Sequence, residues 1–343
     1  MKALILTGYN RLSFENVPEP SIGPDDVLVR VKACGICGSD VHGMDGSSGR
    51  RRPPIIMGHE AAGVIEKIGA KVTGWKFGQR VTFDSTVYCG TCAFCKTGKI
   101  NLCNNRRVLG VSCEDYRQHG AFAEFVVVPQ RILYRLPDEL PFEHAAFVEP
   151  LSIAVHAAHR AHMAAHETVV VVGAGMIGLL QIQVLRAYGC SRIIAVDVAP
   201  EKLEMARKLG ATETINSASS SVVENILQRT DGRGVDLSFE CVGIGATIDI
   251  AVRAVRKGGR ITLIGNISPS VALPLQAVVT RELTINGSCA SCGEYPECLE
   301  LMAAGAVNVA PLTSAVVPLA DGAKWFERLY QKEAGLLKVI LTP

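Results

Sequence analysis

The chain of 343 residues is long enough for two domains of ordinary size, and its composition is globular, with 48% hydrophobic and 20% charged residues. A formal net charge of +2 argues against a nucleic-acid binder, whose surface is strongly basic. Twelve cysteines, with an apolar run after Met1 and Lys2 (ALIL) too short for a signal peptide, point to a reducing, cytoplasmic setting where thiols stay free or bind metal.

In chain order, the first 150 residues read as short β segments between Gly and Pro turns: DDVLVRVKAC (25–34), AAGVIEKIG (61–69), QRVTF (79–83) and FAEFVVVP (122–129). KACGICGSDVHG (32–43) offers Cys37, Ser39, Asp40 and His42, IIMGHEAAG (55–63) offers His59 and Glu60, and FVEPLS offers Glu149. One thiolate, one imidazole and one carboxylate leave a zinc ion open to water or a substrate oxygen, although bare spacing over so long a stretch does not choose among these donors. Arg50, Arg51 and Arg52 stand just before the His59 motif. A loop that binds an anionic group such as a sugar phosphate fits them, and so does a solvated basic loop.

Residues 88–103, YCGTCAFCKTGKINLC, place Cys89, Cys92, Cys95 and Cys103 at C-x2-C-x2-C-x7-C spacing. Four thiolates on a short loop surround one zinc tetrahedrally and leave no open position, so such a site fixes a loop and does not catalyse. An iron–sulfur cluster also takes four cysteines, though nothing else in the sequence suggests electron relay. Scattered free thiols are the plainer alternative.

From residue 167 to about 288, VVVVG, RIIAVD, VDLSFECVG, RITLIG and LTINGS alternate with helix-like stretches such as PEKLEMARKLG and ATIDIAVRAVRKGG, the pattern of βαβ units and a parallel sheet. The uncharged run 168–185 is broken by three glycines and two glutamines, and reads as a buried strand entering a buried helix, not as a membrane span. Gly173 permits the tight turn, Gly175 lets the backbone approach a pyrophosphate, and Gly178 allows close helix–strand packing. Asp197 ends the second strand, where an acidic side chain binds the adenosine ribose; no arginine follows it, which favours NAD over NADP. Ile177, Lys202, Ile264 and Asn266 complete the expected cofactor-contacting residues. A tightly packed turn without a ligand is the alternative.

The tail, 289–343, holds helical patterns (ECLELMAAG, LADGAKWFERLYQK) and ends in a strand-like LLKVILT. Cys289, Cys292 and Cys298 lack a fourth ligand nearby and read as ordinary buried residues, and His156, His159, His162 and His166 recur at helical spacing as ordinary helix histidines. The expected organisation is a β-rich domain (1–152), an α/β domain (153–288) and a tail (289–343) that returns to the first domain.

The combination resembles the zinc-dependent medium-chain dehydrogenases, and within them the polyol branch with sorbitol, galactitol-1-phosphate and, as a neighbour, threonine dehydrogenases. CGICGSDVH, GHEAAGVIEKIG, CGTCAFCKTGKINLC, EPLSIAVHAA, VVGAGMIGLL and LLKVILTP carry the match, in order, over nearly the whole chain. The resemblance implies an α/β protein in which a Rossmann domain, a doubly wound parallel sheet, interrupts a GroES-like β-rich catalytic domain, with the active cleft between them. It assigns Cys37, His59 and Glu60 to the catalytic zinc, and Glu149 to a position that binds zinc directly or through its water. The implied cofactors are a catalytic zinc, a structural zinc at Cys89, Cys92, Cys95 and Cys103, and NAD.

The expected reaction takes a secondary alcohol, of a polyol or polyol phosphate, to a ketone. Ser39 begins a proton path, His42 passes the proton outward, Glu149 is the competing base, and Asp40 orients a ligand such as His59. For His42 a bare surface-loop role is the alternative. Where sorbitol dehydrogenase has an Arg-Tyr pair, this chain has Ala290 and Ser291, and its Gly287-Ser288 step is more like the galactitol-1-phosphate enzyme. Threonine or a simple secondary alcohol remain alternative substrates, and a non-catalytic zinc- and nucleotide-binding sensor is the alternative function. Relatives are dimers or tetramers, so a homo-oligomer is expected, without nucleic-acid or membrane partners.

Overall fold

The computed structural model describes residues 1–164 and 166–343. They form two compact units. One comprises Met1–Glu149, Ser291–Ala303 and Val309–Pro343; the other comprises Pro150–Ala290 and Ala304–Asn308.

The first unit is built on a seven-stranded sheet. Its order is Leu133–Arg135, Arg80–Phe83, Glu60–Ile68, Asp26–Gly35, Lys338–Thr342 and Thr313–Pro318, with Phe125–Pro129 also pairing with Asp26–Gly35. The β-branched residues that predicted these strands supply the core: Val27, Val29 and Val31 pack with Ile65, Val81, Phe83 and Val339. Phe122 and Phe326 meet edge to face there, with ring centroids 5.6 Å apart. Register decides what lies together at one end of this sheet. Gly35 pairs with Glu60 on one side and with Ile340 on the other, so residues 37, 60 and 338 become neighbours. A Cβ at Gly35 would sit 2.5 Å from Glu60 Oε2 and would displace that carboxylate.

The second unit is a six-stranded parallel sheet covered by helices. Its order is Glu213–Asn216, Arg192–Asp197, Thr168–Val172, Val235–Glu240, Val255–Leu263 and Thr284–Gly287, the doubly wound order 3-2-1-4-5-6. The uncharged run divides into the strand Thr168–Val172 and the helix Met176–Ala187. No helix among the described residues is long and apolar enough to cross a membrane. Two expectations shift. The helical pattern ATIDIAVRAVRKGG stops at Ala254, and VRKGG opens the next strand, Val255–Leu263. Gly258, at φ +67°, and Gly259 disfavour helix there, while Val255 already pairs with Val235. The histidine series is also cut: the helix Val148–Ala161 carries His156 and His159, but His162 lies beyond it at φ 49°.

Candidate active site: two metal-binding clusters and a nucleotide crevice

The sheet register of the first unit assembles the mixed donor set. Cys37 caps the short helix Gly38–Gly43, and His59 and Glu60 stand at the start of Glu60–Ile68. The donor atoms of Cys37, His59 and Glu60 lie within 4.8 Å of one another. His59 and Glu60 are buried, as is Asp40 behind them. Asp40 Oδ2 accepts the Cys37 N–H at 3.4 Å, and Oδ1 accepts Arg51 Nη2 at 2.9 Å and Nε at 3.2 Å. His59 Nδ1 faces the same Oδ1 at 3.5 Å, an ion-pair distance without a formed hydrogen bond. Lys338 Nζ donates to Glu60 Oε2 at 2.5 Å and to the Ile36 carbonyl at 3.2 Å.

The electrostatics of this cluster suit a cation. Burial opposes charge on His59, yet Asp40 and Cys37 raise its pKa well above the usual imidazole value. Burial would also raise Asp40, but His59 and Arg51 hold its carboxyl well below the usual range. A site that favours positive charge beside a thiolate, an imidazole and a carboxylate fits a divalent zinc ion.

Ser39 is exposed on the same helix and its Oγ donates to Cys37 Sγ at 3.3 Å. His42, also exposed, follows one turn later on the same face. Glu149 lies outside the three-donor set, in the first turn of Val148–Ala161, where its Oε1 accepts Ser85 Oγ at 3.1 Å. Burial first, then Glu60 and Asp84, push its carboxyl up to about 7 against the pull of His59 and Ser85.

The four-cysteine loop is a second, tighter cluster. Cys92 Sγ is 3.5 Å from Cys95 Sγ and 3.9 Å from Cys103 Sγ, and Cys89 Sγ is 3.9 Å from Cys95 Sγ. Tetrahedral zinc–sulfur bonds of about 2.3 Å give sulfur–sulfur edges of about 3.8 Å, so the loop has the size of a zinc site. The N–H and hydroxyl of Thr91, with the Cys92 N–H, bring the Cys89 thiol down to about 5. Burial and the neighbouring sulfurs push Cys95 up to about 12. Cys289, Cys292 and Cys298 join no metal cluster among the described residues. Of these three, only Cys298 is buried; Cys289 is exposed.

In the second unit the expected nucleotide residues gather at the carboxyl ends of the strands. Gly173 (φ +97°) closes the turn after Thr168–Val172, Gly175 caps the next helix with open space around it, and a side chain at Gly178 would collide with the Gly173 carbonyl. Asp197 Oδ2 accepts the Ala174 N–H at 2.7 Å, and its Oδ1 accepts the Ala199 N–H at 3.0 Å. Ile177 lies in the first turn of Met176–Ala187, Lys202 in the first turn of Pro200–Lys208, and Ile264 and Asn266 directly follow Val255–Leu263. The crevice at a strand-order reversal is where such sheets bind dinucleotides.

Two side chains escaped the sequence reading, and a third was misread. Lys338 had a signal, a lone charge inside the apolar strand LLKVILT. Asp84 had none: it is buried, accepts Ser291 Oγ at 3.1 Å, and burial pushes its carboxyl up to about 6. Ser291 therefore turns inward to Asp84. Arg51 corrects the reading of the basic run, since it is buried on Asp40 and not available to a ligand, while Arg50 and Arg52 are exposed.

Comparison with known proteins agrees with this architecture. Residues 23–138 match the alcohol dehydrogenase GroES-like domain, and residues 177–304 match the zinc-binding dehydrogenase domain. The chain is similar to sorbitol dehydrogenase of Bacillus subtilis (strain 168), with 35% identity over 347 residues, covering all of this chain and 97% of that protein. It is similar in structure to an NADP-bound zinc-binding dehydrogenase from Sinorhizobium meliloti 1021, with TM-score 0.92, 33% identity and coverage of 100% and 99%. Galactitol-1-phosphate dehydrogenase from Escherichia coli superposes with TM-score 0.93 at 28% identity, covering both chains completely. The chain belongs to the zinc-binding medium-chain dehydrogenases, in the branch of the polyol dehydrogenases. It is a zinc-dependent, NAD(P)-linked enzyme with a GroES-like domain and a Rossmann-type sheet.

Proposed function

We propose that the protein oxidises a secondary alcohol of a polyol or polyol phosphate to a ketone, with NAD+ as the hydride acceptor. The donor set of half-buried Cys37 and buried His59 and Glu60, with Ser39 beside Cys37, carries this reading. A zinc ion there supplies Lewis acidity toward an alcohol oxygen, and a second zinc in the four-cysteine loop braces that lobe. Cys37 and His59 hold the catalytic ion. Glu60 and Glu149 are the carboxylates that compete for it, each with another partner at hand in Lys338 and Ser85. Ser39 Oγ takes the substrate's hydroxyl proton as it gives up its own toward His42, which passes it to solvent, with Glu149 as the competing acceptor.

In the nucleotide crevice Asp197 receives the ribose hydroxyls and repels a 2′-phosphate, which supports NAD over NADP. Gly175, Ile177, Lys202, Ile264 and Asn266 line the cofactor path. The names of the sorbitol and galactitol-1-phosphate enzymes support a polyol and leave its phosphorylation to experiment. A homodimer or homotetramer is supported by the open edge strand Thr284–Gly287, with exposed Ile267, Leu275 and Val279 in the chain before it. Two clusters of cysteine-containing metal donors in a chain of twelve cysteines support a reducing, cytoplasmic setting.

The test is NADH formation, followed by absorbance, against polyols, polyol phosphates, threonine and simple secondary alcohols. NAD+ and NADP+ run in parallel and zinc is measured on the same sample. Turnover of polyols with NAD+ is the expected result. Turnover of threonine or simple alcohols alone replaces the substrate, preference for NADP+ overturns the Asp197 argument, and silence from fully zinc-loaded protein favours a sensor.

A further inference from the structure

We propose that Arg51 is a positioning residue of the metal centre: its buried guanidinium holds Ser39 and Asp40 in the arrangement that lets Cys37 and His59 bind a cation. The inference rests on the zinc-centre reading above and on no particular substrate.

Within the run Arg50–Arg52, only Arg51 is buried, with 4% of its surface exposed. Its Nη2 reaches Asp40 Oδ1 at 2.9 Å and Ser39 Oγ at 3.4 Å, and its Nε reaches the same Asp40 oxygen at 3.2 Å. Nη1 donates to the Arg50 carbonyl at 3.1 Å. Both contacted side chains in turn touch the donors: Ser39 Oγ lies 3.3 Å from Cys37 Sγ, and Asp40 Oδ1 lies 3.5 Å from His59 Nδ1. One side chain therefore touches the partners of both Cys37 and His59. Its seat is built for it. A Cβ on Gly43 would stand 2.5 Å from Arg51 Cγ, and the backbone on either side of Arg51 is tied to Ser112 by hydrogen bonds of 3.1 and 3.2 Å.

The physical need is clear at Asp40, which has no exposed surface. A buried carboxylate without compensation is costly and leaves its site. Two guanidinium N–H groups on Oδ1 keep it in place, with that oxygen still turned toward an imidazole nitrogen that has no hydrogen-bond partner. A planar fork reaches two acceptors in fixed directions, which an ammonium does not. A mere loop brace would change stability; a positioning residue also changes how tightly the donors hold metal.

The experiment uses the full chain with its four-cysteine site left zinc-loaded. Co2+ is titrated into the other site against a competing chelator and followed by its visible absorption, alongside Tm and NADH formation. Arg51→Met is expected to weaken cobalt binding by about 10–100-fold, as loss of a ligand's supporting partner does, and to shift the visible band. Arg51→Lys restores part of that affinity, because charge returns without the fork. Gly43→Ala weakens binding as well, since it displaces the Arg51 stem and leaves every charge in place. Cobalt affinity within about twofold of the parent in Arg51→Met overturns the proposal, whatever happens to Tm. Should Arg51→Met fail to fold, unchanged affinity in both Arg51→Lys and Gly43→Ala overturns it. Weakened cobalt binding in a protein that turns over no alcohol keeps Arg51 in its role and removes only the proposed reaction.

Discussion

In the four-cysteine loop all ligands fall within residues 89–103, and the groups that support the sulfurs are the loop's own amides: Cys89 N–H on Cys103 Sγ, and Thr91 and Cys92 N–H on Cys89 Sγ. At the Cys37 centre the donors come from two separate segments, and their supports are charged side chains drawn from further afield: Asp40, Arg51 and Lys338. The first site is local and closed; the second is long-range and stays balanced only while several buried charges are paired. Local sites fail by losing the lobe they brace. Long-range sites fail by losing chemistry, or by leaving a charge stranded.

That contrast can be broken by substitution. His59→Ala or Cys37→Ser should lower kcat/KM by about a thousandfold, the several kcal/mol that a Lewis acid contributes, with little change in Tm. Steady-state kinetics and thermal melts on the same samples check this, and full turnover by Cys37→Ser would place the chemistry elsewhere. Lys338→Met should cost about 3–5 kcal/mol in metal-free protein, because Glu60 is left buried and unpaired, and clearly less in zinc-loaded protein, where the ion replaces the lost partner. Denaturant melts with and without chelator measure that difference; equal losses would mean Glu60 never meets the metal.

Cys92→Ser should lose one zinc and lower Tm by about 5 °C while the folded protein still turns over, as metal analysis and melting will show. The smallest effect concerns acid. Burial would raise Asp236, but Arg256, the Thr168 N–H and Arg233 hold it below its ordinary 3.8. A carboxyl depressed in the folded state stabilises above its unfolded pKa, and that contribution is lost as pH falls from about 4 through the lower folded value. In Asp236→Asn the parent's extra loss of stability below pH 4 should vanish, read as melting temperature against pH; an unchanged profile would assign acid sensitivity to other carboxylates, such as Glu213, which burial would raise but Arg229 and Arg192 hold below its ordinary value.

The same contrast governs what the sequence disclosed. The four-cysteine spacing and the Gly173–Gly178 turn were legible because each is one short segment whose residues must meet. Cys37, His59 and Glu60 were visible only as types, and resemblance rather than spacing chose among them, since it is strand register that puts Gly35 beside Glu60. Asp84 and Arg51 were hidden or misread for one reason: a polar residue in a basic or mixed stretch looks solvated until the fold buries it. The early end of the Gly245–Ala254 helix turned on a glycine pair that periodicity alone underweights.

The ion pair between Lys338 and Glu60 spans 278 residues of sequence. A ribosome adding about 5–20 residues per second needs roughly 15–60 s to travel between them, and makes the whole nucleotide-binding sheet on the way. During that interval the carboxylate that will border the metal lacks its Lys338 counter-charge, and Asp26–Gly35 lacks the strand Lys338–Thr342 on its other side. Cofactor-binding architecture is thus synthesised before the catalytic centre can close, and an ion captured early would be held by a half-built site.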